Sequence, residues 1–233
     1  MNSIDLASST VRECNQILHD LPNERGVWQI QQPRGAHAIA CGLRVPVQVE
    51  IHGHAGYYCA GMNQAATVIV HGNVGVGVAE NMMSGCVHVR GNASQSAGAT
   101  AHGGLLIIDG NASARCGISM KGVDIVVKGS VGHLSAFMAQ SGNLVVCGDA
   151  GEALGDSIYE ARLFVRGQAK SLGADCMEKS MRPEHFKLLD RLLAEAGSDA
   201  KPEQFRRYGS ARTLYHFKAS HESWVVSREY SAS

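Results

Sequence analysis

Seven glycines recur at intervals of nineteen residues in this chain, and this spacing constrains the fold more than any other feature. A constant short period indicates one structural unit stacked on copies of itself. Nineteen residues are too few for a strand, a crossover helix and a return loop, so each unit is predicted to be one coil of a solenoid. The periodic glycines are Gly53, Gly72, Gly91, Gly110, Gly129, Gly148 and Gly167.

The apolar residues of each unit form a short run that ends at the next glycine. When the glycine is counted as offset zero, offsets fifteen and seventeen are apolar in all six complete units. Alternate residues of a strand face the same side, so these two columns are predicted to fill the interior. Offset fifteen holds Val68, Val87, Leu106, Ile125, Leu144 and Leu163, and offset seventeen holds Val70, Val89, Ile108, Val127, Val146 and Val165.

These patterns predict an all-β fold, a parallel β-helix of about seven to eight nineteen-residue coils with short N- and C-terminal helices. The glycines are expected to supply positive φ angles at the corners and to let neighbouring backbones approach. Asn92 and Asn111 share offset one and are predicted to form an amide ladder. Gly35–His52 is interpreted as an imperfect first coil, in which Gly42 matches the offset-seven glycines.

Three regions are expected: an N-terminal helix and cap at 1–34, the β-helix domain at 35–179, and a C-terminal helical extension and tail at 180–233. Thr10 and Glu13 have the spacing of a capping box and predict a helix to about Leu21. Pro183 at a first helical position predicts a second helix through about Ala196. Its apolar face is expected to cap the open end of the solenoid rather than to pack on a partner. The sequence further predicts a short helix over Pro202–Tyr208 and an extended stretch over Arg212–Lys218.

The sequence gives little support for a catalytic or metal-binding role at any residue. His52 and His71 share offset eighteen, but that column also contains arginine, lysine and aspartate, so a solvated face is favoured over a metal site. His102 and His133 lie near coil corners and have no carboxylate at a matching offset. No cysteine has an evident histidine partner. The sequence therefore predicts no catalytic, cofactor-binding or metal-binding residues in this chain.

Offset sixteen is the column that suggests an interface. It should point outward, yet most of its members are apolar, and a contiguous apolar stripe is more often covered than exposed. Either a partner or the chain's own terminal segment is expected to cover it. The column consists of Ile69, His88, Ile107, Val126, Val145 and Phe164.

Composition limits the setting in which the chain works. Its 21 basic and 21 acidic residues balance, which argues against nucleic acid as the main partner. No apolar run approaches the ~20 residues of a membrane span. The seven cysteines contain no C-x-x-C pair, and reduced thiols in a cytoplasmic protein are expected.

The glycine repeat resembles the GXGXG domain, the right-handed β-helix at the C-terminal end of the glutamate synthase large subunit, over roughly residues 35–173. Longer stretches are more similar to stand-alone members of this family, the separate β-helix subunits of N-methylglutamate synthases (methylamine–glutamate N-methyltransferases). They are GYYCAGMNQ (56–64), GNVGVGVAENMMSG (72–85), GNASARCGISMKG (110–122), GDSIYEARLFVRG (155–167) and SLGADCMEKSMRPEH (171–185).

The resemblance implies a scaffold subunit of a three-subunit enzyme in methylamine metabolism. One implied partner is a type-2 glutamine-amidotransferase-like subunit, and the other is a glutamate-synthase-like subunit that binds FMN and an iron–sulfur cluster. Together they would convert glutamate and methylamine into N-methylglutamate and ammonia. No catalytic residue of the family maps to the β-helix, so the resemblance assigns none here.

Two other functions remain open from the sequence. A hexapeptide-type acyltransferase would use a catalytic histidine such as His102, although its coils have eighteen residues. A self-assembling structural solenoid would form filaments without partners.

Overall fold

The structure is a computed structural model that describes residues 2–22 and 26–212. It is a parallel β-solenoid of about seven turns with two short α-helices, which confirms the predicted fold class. The residues described include no helix with the length and apolar character that a membrane crossing requires.

The chain opens with strand β1 (Asn2–Asp5), helix α1 (Val11–His19) and strand β2 (Val27–Gln31). One strand per coil follows: β3 (Gln48–His52), β4 (Thr67–Val70), β5 (Cys86–Val89), β6 (Leu105–Ile108), β7 (Lys121–Val127), β8 (Ser141–Val146) and β9 (Arg162–Val165). The C-terminal part contains β10 (Cys176–Lys179), α2 (Pro183–Glu195), a short 3₁₀ helix (Pro202–Gln204) and β11 (Arg206–Ser210).

Equivalent residues of successive coils lie directly beside one another. Thr67 pairs with Cys86, and Cys86 pairs with Leu105, so each step along the ladder corresponds to nineteen residues. A second ladder runs through offset two, where Ala55 bridges to Val74 and the series continues to Ala169. Two parallel ladders with the same period fix the register of the coils.

The predicted interior columns are confirmed. Every residue at offsets fifteen and seventeen is fully buried, from Val68 and Val70 in the first complete coil to Leu163 and Val165 in the last. This burial of branched aliphatic side chains in a continuous column supplies the main stabilising contribution of the solenoid.

Of the two roles expected for the periodic glycines, close approach of backbones applies at most positions, whereas a positive φ occurs at one. Gly53 has a positive φ of 141°, but Gly72 and the five later members of the column do not. Instead, a Cβ on Gly91 would lie 2.7 Å from the carbonyl oxygen of Gly72, and one on Gly110 would lie 2.8 Å from that of Gly91. Close approach between coils, rather than backbone conformation, therefore excludes larger residues.

The polar side chains at offset one stack as predicted but bond mainly to backbone instead of to each other. Asn73 Oδ1 accepts from the backbone N–H of Asn92 at 2.8 Å, and Asn92 Oδ1 accepts from that of Asn111 at 2.8 Å. The same bond recurs through Ser130 Oγ and Asp149 Oδ1 to the N–H of Gln168. The ladder thus pairs corner N–H groups that the turn leaves without a strand partner.

A left-handed stretch in each coil was not predicted. In the coil that starts at Gly53, the φ angles of Tyr58, Ala60 and Met62 are 57°, 55° and 55°. Their N–H groups alternate in direction: Tyr58 and Met62 donate to the following coil, and Ala60 donates to Ile39 in the preceding one. These inter-coil hydrogen bonds offset the unfavourable left-handed conformation of non-glycine residues.

The first coil has a different register from the one expected. Val27 pairs with Gln48, twenty-one positions further on, so this coil is longer than the others. Gly42 N–H donates to Gly61 O, as Met62 N–H donates to Glu80 O in the next coil. Gly42 therefore lies at offset nine. Its assignment to offset seven is wrong because Gly35, from which it was counted, lies at offset two: Gly35 N–H donates to His54 O as Ala55 N–H donates to Asn73 O.

Helix α1, not α2, covers an end of the rod. Its capping box between Thr10 and Glu13 is confirmed. Cys14 and Leu18 are buried in the solenoid core, and Asn15 bonds to both Ala38 O and Ala40 N.

The C-terminal segments depart from two expectations. Helix α2 begins at Pro183 as predicted but lies along the side of the rod, because its apolar face packs on outward-facing strand residues. The expected helix over Pro202–Tyr208 is wrong beyond its 3₁₀ turn, since β11 pairs antiparallel with both β9 and β10 and lies between them at this end of the sheet. The stretch expected over Arg212–Lys218 lies, after Arg212, outside the described residues.

Replacing Gly110 by alanine is expected to lower the free energy of unfolding by about 2–3 kcal/mol, because the new Cβ forces two coils apart. Chemical denaturation provides the measurement. Gly26→Ala is the matched control, since a Cβ there meets no heavy atom within 4 Å. Equal stability of the two variants would contradict the close-approach explanation.

Val127→Asp is expected to destabilise the fold by at least about 3 kcal/mol, because the carboxylate would be buried without a partner. Val27→Asp places the same charge on a valine that is 38% exposed and should change stability little. Circular dichroism during thermal unfolding compares the two. A Val127→Asp protein as stable as the wild type would show that offset seventeen does not face the core.

Candidate functional site

The seven cysteines do not provide an activated nucleophile. All are free thiols, and burial raises the pKa of Cys14 and Cys176 to about 11 and that of Cys116 to about 12. Burial also raises the pKa values of the remaining four. A thiol whose pKa lies far above neutrality supplies little thiolate, which is the nucleophilic form.

The shorter of the two histidine–carboxylate hydrogen bonds among the described residues involves a residue assigned to the interface column. His88 Nε2 lies 2.9 Å from Asp109 Oδ1, whereas His102 and His133 make no side-chain hydrogen bond to any described residue. Sequence reasoning missed the pair because the two residues occupy different offsets, sixteen and eighteen, on adjacent strands.

Asp109 is held in the ionised form by several neighbours. Burial acts to raise its pKa, but hydrogen bonds from Lys128 and His88 lower it overall. Lys128 Nζ lies 2.9 Å from Asp109 Oδ1, and Arg90 Nη1 lies 3.3 Å from Oδ2. A carboxylate committed to three cationic or donor groups stabilises this face rather than acting as a base for a substrate.

Four members of the interface column are covered by the chain itself. Ile107, Val126, Val145 and Phe164 are buried in a cluster with Leu189, Leu192, Leu193 and Ala196 of α2. The thirteen-residue helix is about 20 Å long, which is enough to cross four strands about 4.8 Å apart. Of the two coverings expected for this column, the structure therefore shows the terminal segment over its C-terminal part.

Polar contacts fix the helix in that position. Arg191 Nη2 lies 3.1 Å from Asp124 Oδ2 on β7, and Lys128 Nζ donates to Gly197 O at 3.4 Å. Ile69 and His88 lie outside this cluster and are half-buried. The side chain of His88 is 13% exposed and bonds to Asp109, so Ile69 is the member of the column that α2 leaves available to another molecule.

A second candidate surface lies on the left-handed stretches of the first two complete coils. We call it the Tyr–Met patch, and it consists of Tyr57, Tyr58, Met62 and Met83, each about half exposed. Tyrosine and methionine are enriched at protein–protein interfaces, where they supply large contact areas. Two of the four residues, Tyr58 and Met62, have the left-handed backbone conformation that was not predicted.

A third candidate surface is a strongly basic cavity of about 320 Å³ near β9, β10 and β11. Its lining includes one carboxylate, Glu160, and five cationic side chains. The cations are those of Arg162, Lys179, Arg182, Arg207 and Arg212.

The carboxylates in the described part of the chain neutralise only some of this positive charge. Arg212 pairs with Asp175, and Arg182 lies 3.8 Å from Glu184. Burial, and then the charges of Arg182 and Arg162, lower the pKa of Arg207. In a protein of zero formal net charge, such a concentration of cations attracts carboxylate or phosphate groups.

Comparison with known proteins identifies a relative that spans nearly the whole chain. Protein GlxC of Rhizobium meliloti (strain 1021) is 61% identical over 220 residues, which cover 93% of this chain and 96% of that protein. No protein-family profile matches the chain.

Leu189→Asp is expected to release α2 from the rod without unfolding the coils, because the helix cluster is separate from the solenoid core. Loss of this buried leucine is expected to weaken the packing of α2 on the rod by about 3 kcal/mol. Dye binding to exposed apolar surface should rise, while the main thermal transition persists.

Lys187→Asp, on the exposed side of α2, is the matched control and should leave dye binding unchanged. Loss of the whole fold in Leu189→Asp would mean that the helix is an integral part of the core.

Proposed function

The chain belongs to the same family as protein GlxC, and we propose that it is a non-catalytic scaffold subunit of a glutamate-synthase-like enzyme. In this proposal it joins a glutamine-amidotransferase-type subunit to a synthase subunit that carries FMN and an iron–sulfur cluster. The assembly would work in the cytoplasm and convert glutamate and methylamine into N-methylglutamate and ammonia. The assignment of methylamine as the substrate and of the two partner subunits is based on the resemblance of the repeat to the GXGXG family.

The observation that supports a scaffold role best is the constant register of the coils. The strands from β4 to β9 pair with their neighbours at a separation of nineteen residues, apart from a register shift at Lys121 and Ser141, and backbone hydrogen bonds join the coils between the strands as well. A rod bonded in this way keeps its two ends at a fixed distance. Transfer of a nitrogen group between two active sites requires fixed geometry and protection from water.

The outer surface of the rod is compatible with two different partners. The Tyr–Met patch lies near the N-terminal end, and the basic cavity lies near the C-terminal end, on β9 to β11. One surface favours apolar contacts and the other favours acidic groups, so the two do not compete for the same protein.

The other functions considered have less support. Paired residues of successive coils are nineteen positions apart in the sequence, whereas the coils of a hexapeptide acyltransferase repeat every eighteen residues. A filament needs open ends, but α1 covers one end of the core and antiparallel β11 interrupts the parallel ladder at the other.

Affinity purification of the tagged chain from its native host tests the proposal. Two further subunits and the absorbance of a bound flavin are expected in the eluate, and the isolated chain should not turn over glutamate and methylamine. Recovery of the chain without a flavoprotein, or turnover by the chain alone, would contradict a scaffold role.

The double substitution Tyr58→Ser and Met62→Ser is expected to reduce recovery of one partner at least tenfold, because it removes the apolar contacts of the Tyr–Met patch. Met177→Ser is the control, since Met177 is 44% exposed on β10 and lies outside the patch. Thermal midpoints of the purified variants verify that both remain folded. Equal recovery of both partners by all variants would remove this patch as a docking surface.

A further inference from the structure

Three side chains at the N-terminal part of the strand face bring their ligand atoms together. Glu50 and His52 lie on β3, two residues apart, and His71 directly follows β4. Their ligand atoms lie within 4.8 Å of one another, and this is the one such group of three that the described residues contain. We propose that Glu50, His52 and His71 bind a divalent transition-metal ion of the Zn²⁺ class.

The backbone places these residues independently of any ion. Residues i and i+2 of a strand point to the same face, so Glu50 and His52 project together. Parallel pairing of β3 with β4 matches Ile51 with Val70, and the next positions are His52 and His71. The two imidazoles therefore lie one strand spacing apart on adjacent coils.

The distances approach those of a tetrahedral site. Bonds of about 2.1 Å from a zinc ion separate neighbouring ligand atoms by about 3.4 Å. Glu50 Oε2 lies 3.3 Å from His71 Nε2 and 3.8 Å from His52 Nε2. Two of the three separations are thus within half an ångström of the required value.

One rearrangement is needed before both histidines bind the same ion. The rings of His52 and His71 are stacked, with centroids 4.8 Å apart and planes 7° from parallel. Nitrogen lone pairs lie in the ring plane, so parallel rings must turn about their side-chain bonds to converge. The side chains are 33% and 39% exposed, which leaves room for this rotation.

The polar groups around the cluster favour a cation. Nε2 of His52 is buried and has no hydrogen-bond partner in the part of the chain that the structure describes. The next cation along the column, Arg90, is directed towards Asp109. Glu50 also accepts a hydrogen bond from Gln48 Nε2 at 2.8 Å, which orients the carboxylate from behind.

The donor set determines the type of metal. Two imidazoles and one carboxylate suit Zn²⁺, Co²⁺, Ni²⁺ or Cu²⁺, whereas Mg²⁺ and Ca²⁺ prefer oxygen ligands alone. Three protein ligands leave a fourth position for water or for a group from another molecule. An ion held in this way links β3 to the end of β4 across the outer face.

Titration of the metal-free, full-length protein with Zn²⁺ tests the site. One saturable binding event per chain is expected by calorimetry, and Zn²⁺ should raise the thermal midpoint. His71→Ala and Glu50→Gln should each weaken binding at least tenfold, because each removes one of three ligands. His133→Ala, at an exposed histidine on a later coil, is the matched control and should bind as the wild type does.

Co²⁺ substitution provides a second readout that separates this site from the cysteines. Tetrahedral visible absorption without thiolate-to-cobalt charge transfer is expected, and it should disappear in His71→Ala. The proposal is overturned by a thiolate signal, by absence of saturable binding, or by equal affinity of the wild type and both ligand variants. Thermal unfolding in the presence of a chelator verifies that each variant is folded.

Discussion

The close approach of one coil to the next is the constraint on which this structure depends. The corner glycine of each coil contacts the carbonyl of the preceding corner, and the side chain at the following position bonds the N–H of the next coil. These contacts hold the strands in a register that buries one apolar column above another. A larger residue at the corner disturbs packing and hydrogen bonding together, which explains why glycine recurs there.

The features that depend on period were predictable from the sequence. The nineteen-residue spacing from Gly53 to Gly167 and the apolar residues at two offsets were sufficient to predict the coil, the strand within it and the residues that face the interior. The left-handed stretch was not predictable in the same way, because residues such as Tyr58 and Met62 have no intrinsic preference for positive φ. Their conformation follows from hydrogen bonds to two neighbouring coils, which exist only after the coils have stacked.

The candidate surfaces were harder to predict than the core, because they combine residues from different offsets. His52 and His71 share the offset-eighteen column. Glu50 lies two residues before His52 on β3 and pairs with Ile69, so it belongs to the offset-sixteen column. The basic cavity joins residues of β9, β10 and β11, and the direction of β11 could not be read from its sequence. Helix α2 was recognised from its proline and its apolar face, whereas the side of the rod that it covers became evident from packing alone.

The two parallel ladders with one common period also determine how this molecule can change length during evolution. Loss or duplication of a complete unit would preserve every column of contacts, whereas one or two extra residues must be absorbed within a coil, as they are in the first coil, where Val27 pairs with Gln48 and the later columns stay aligned. The distance between the two ends can therefore vary only in steps of about 4.8 Å. Relatives with longer or shorter rods are expected to differ by whole repeats, with the terminal segments retained as closing elements.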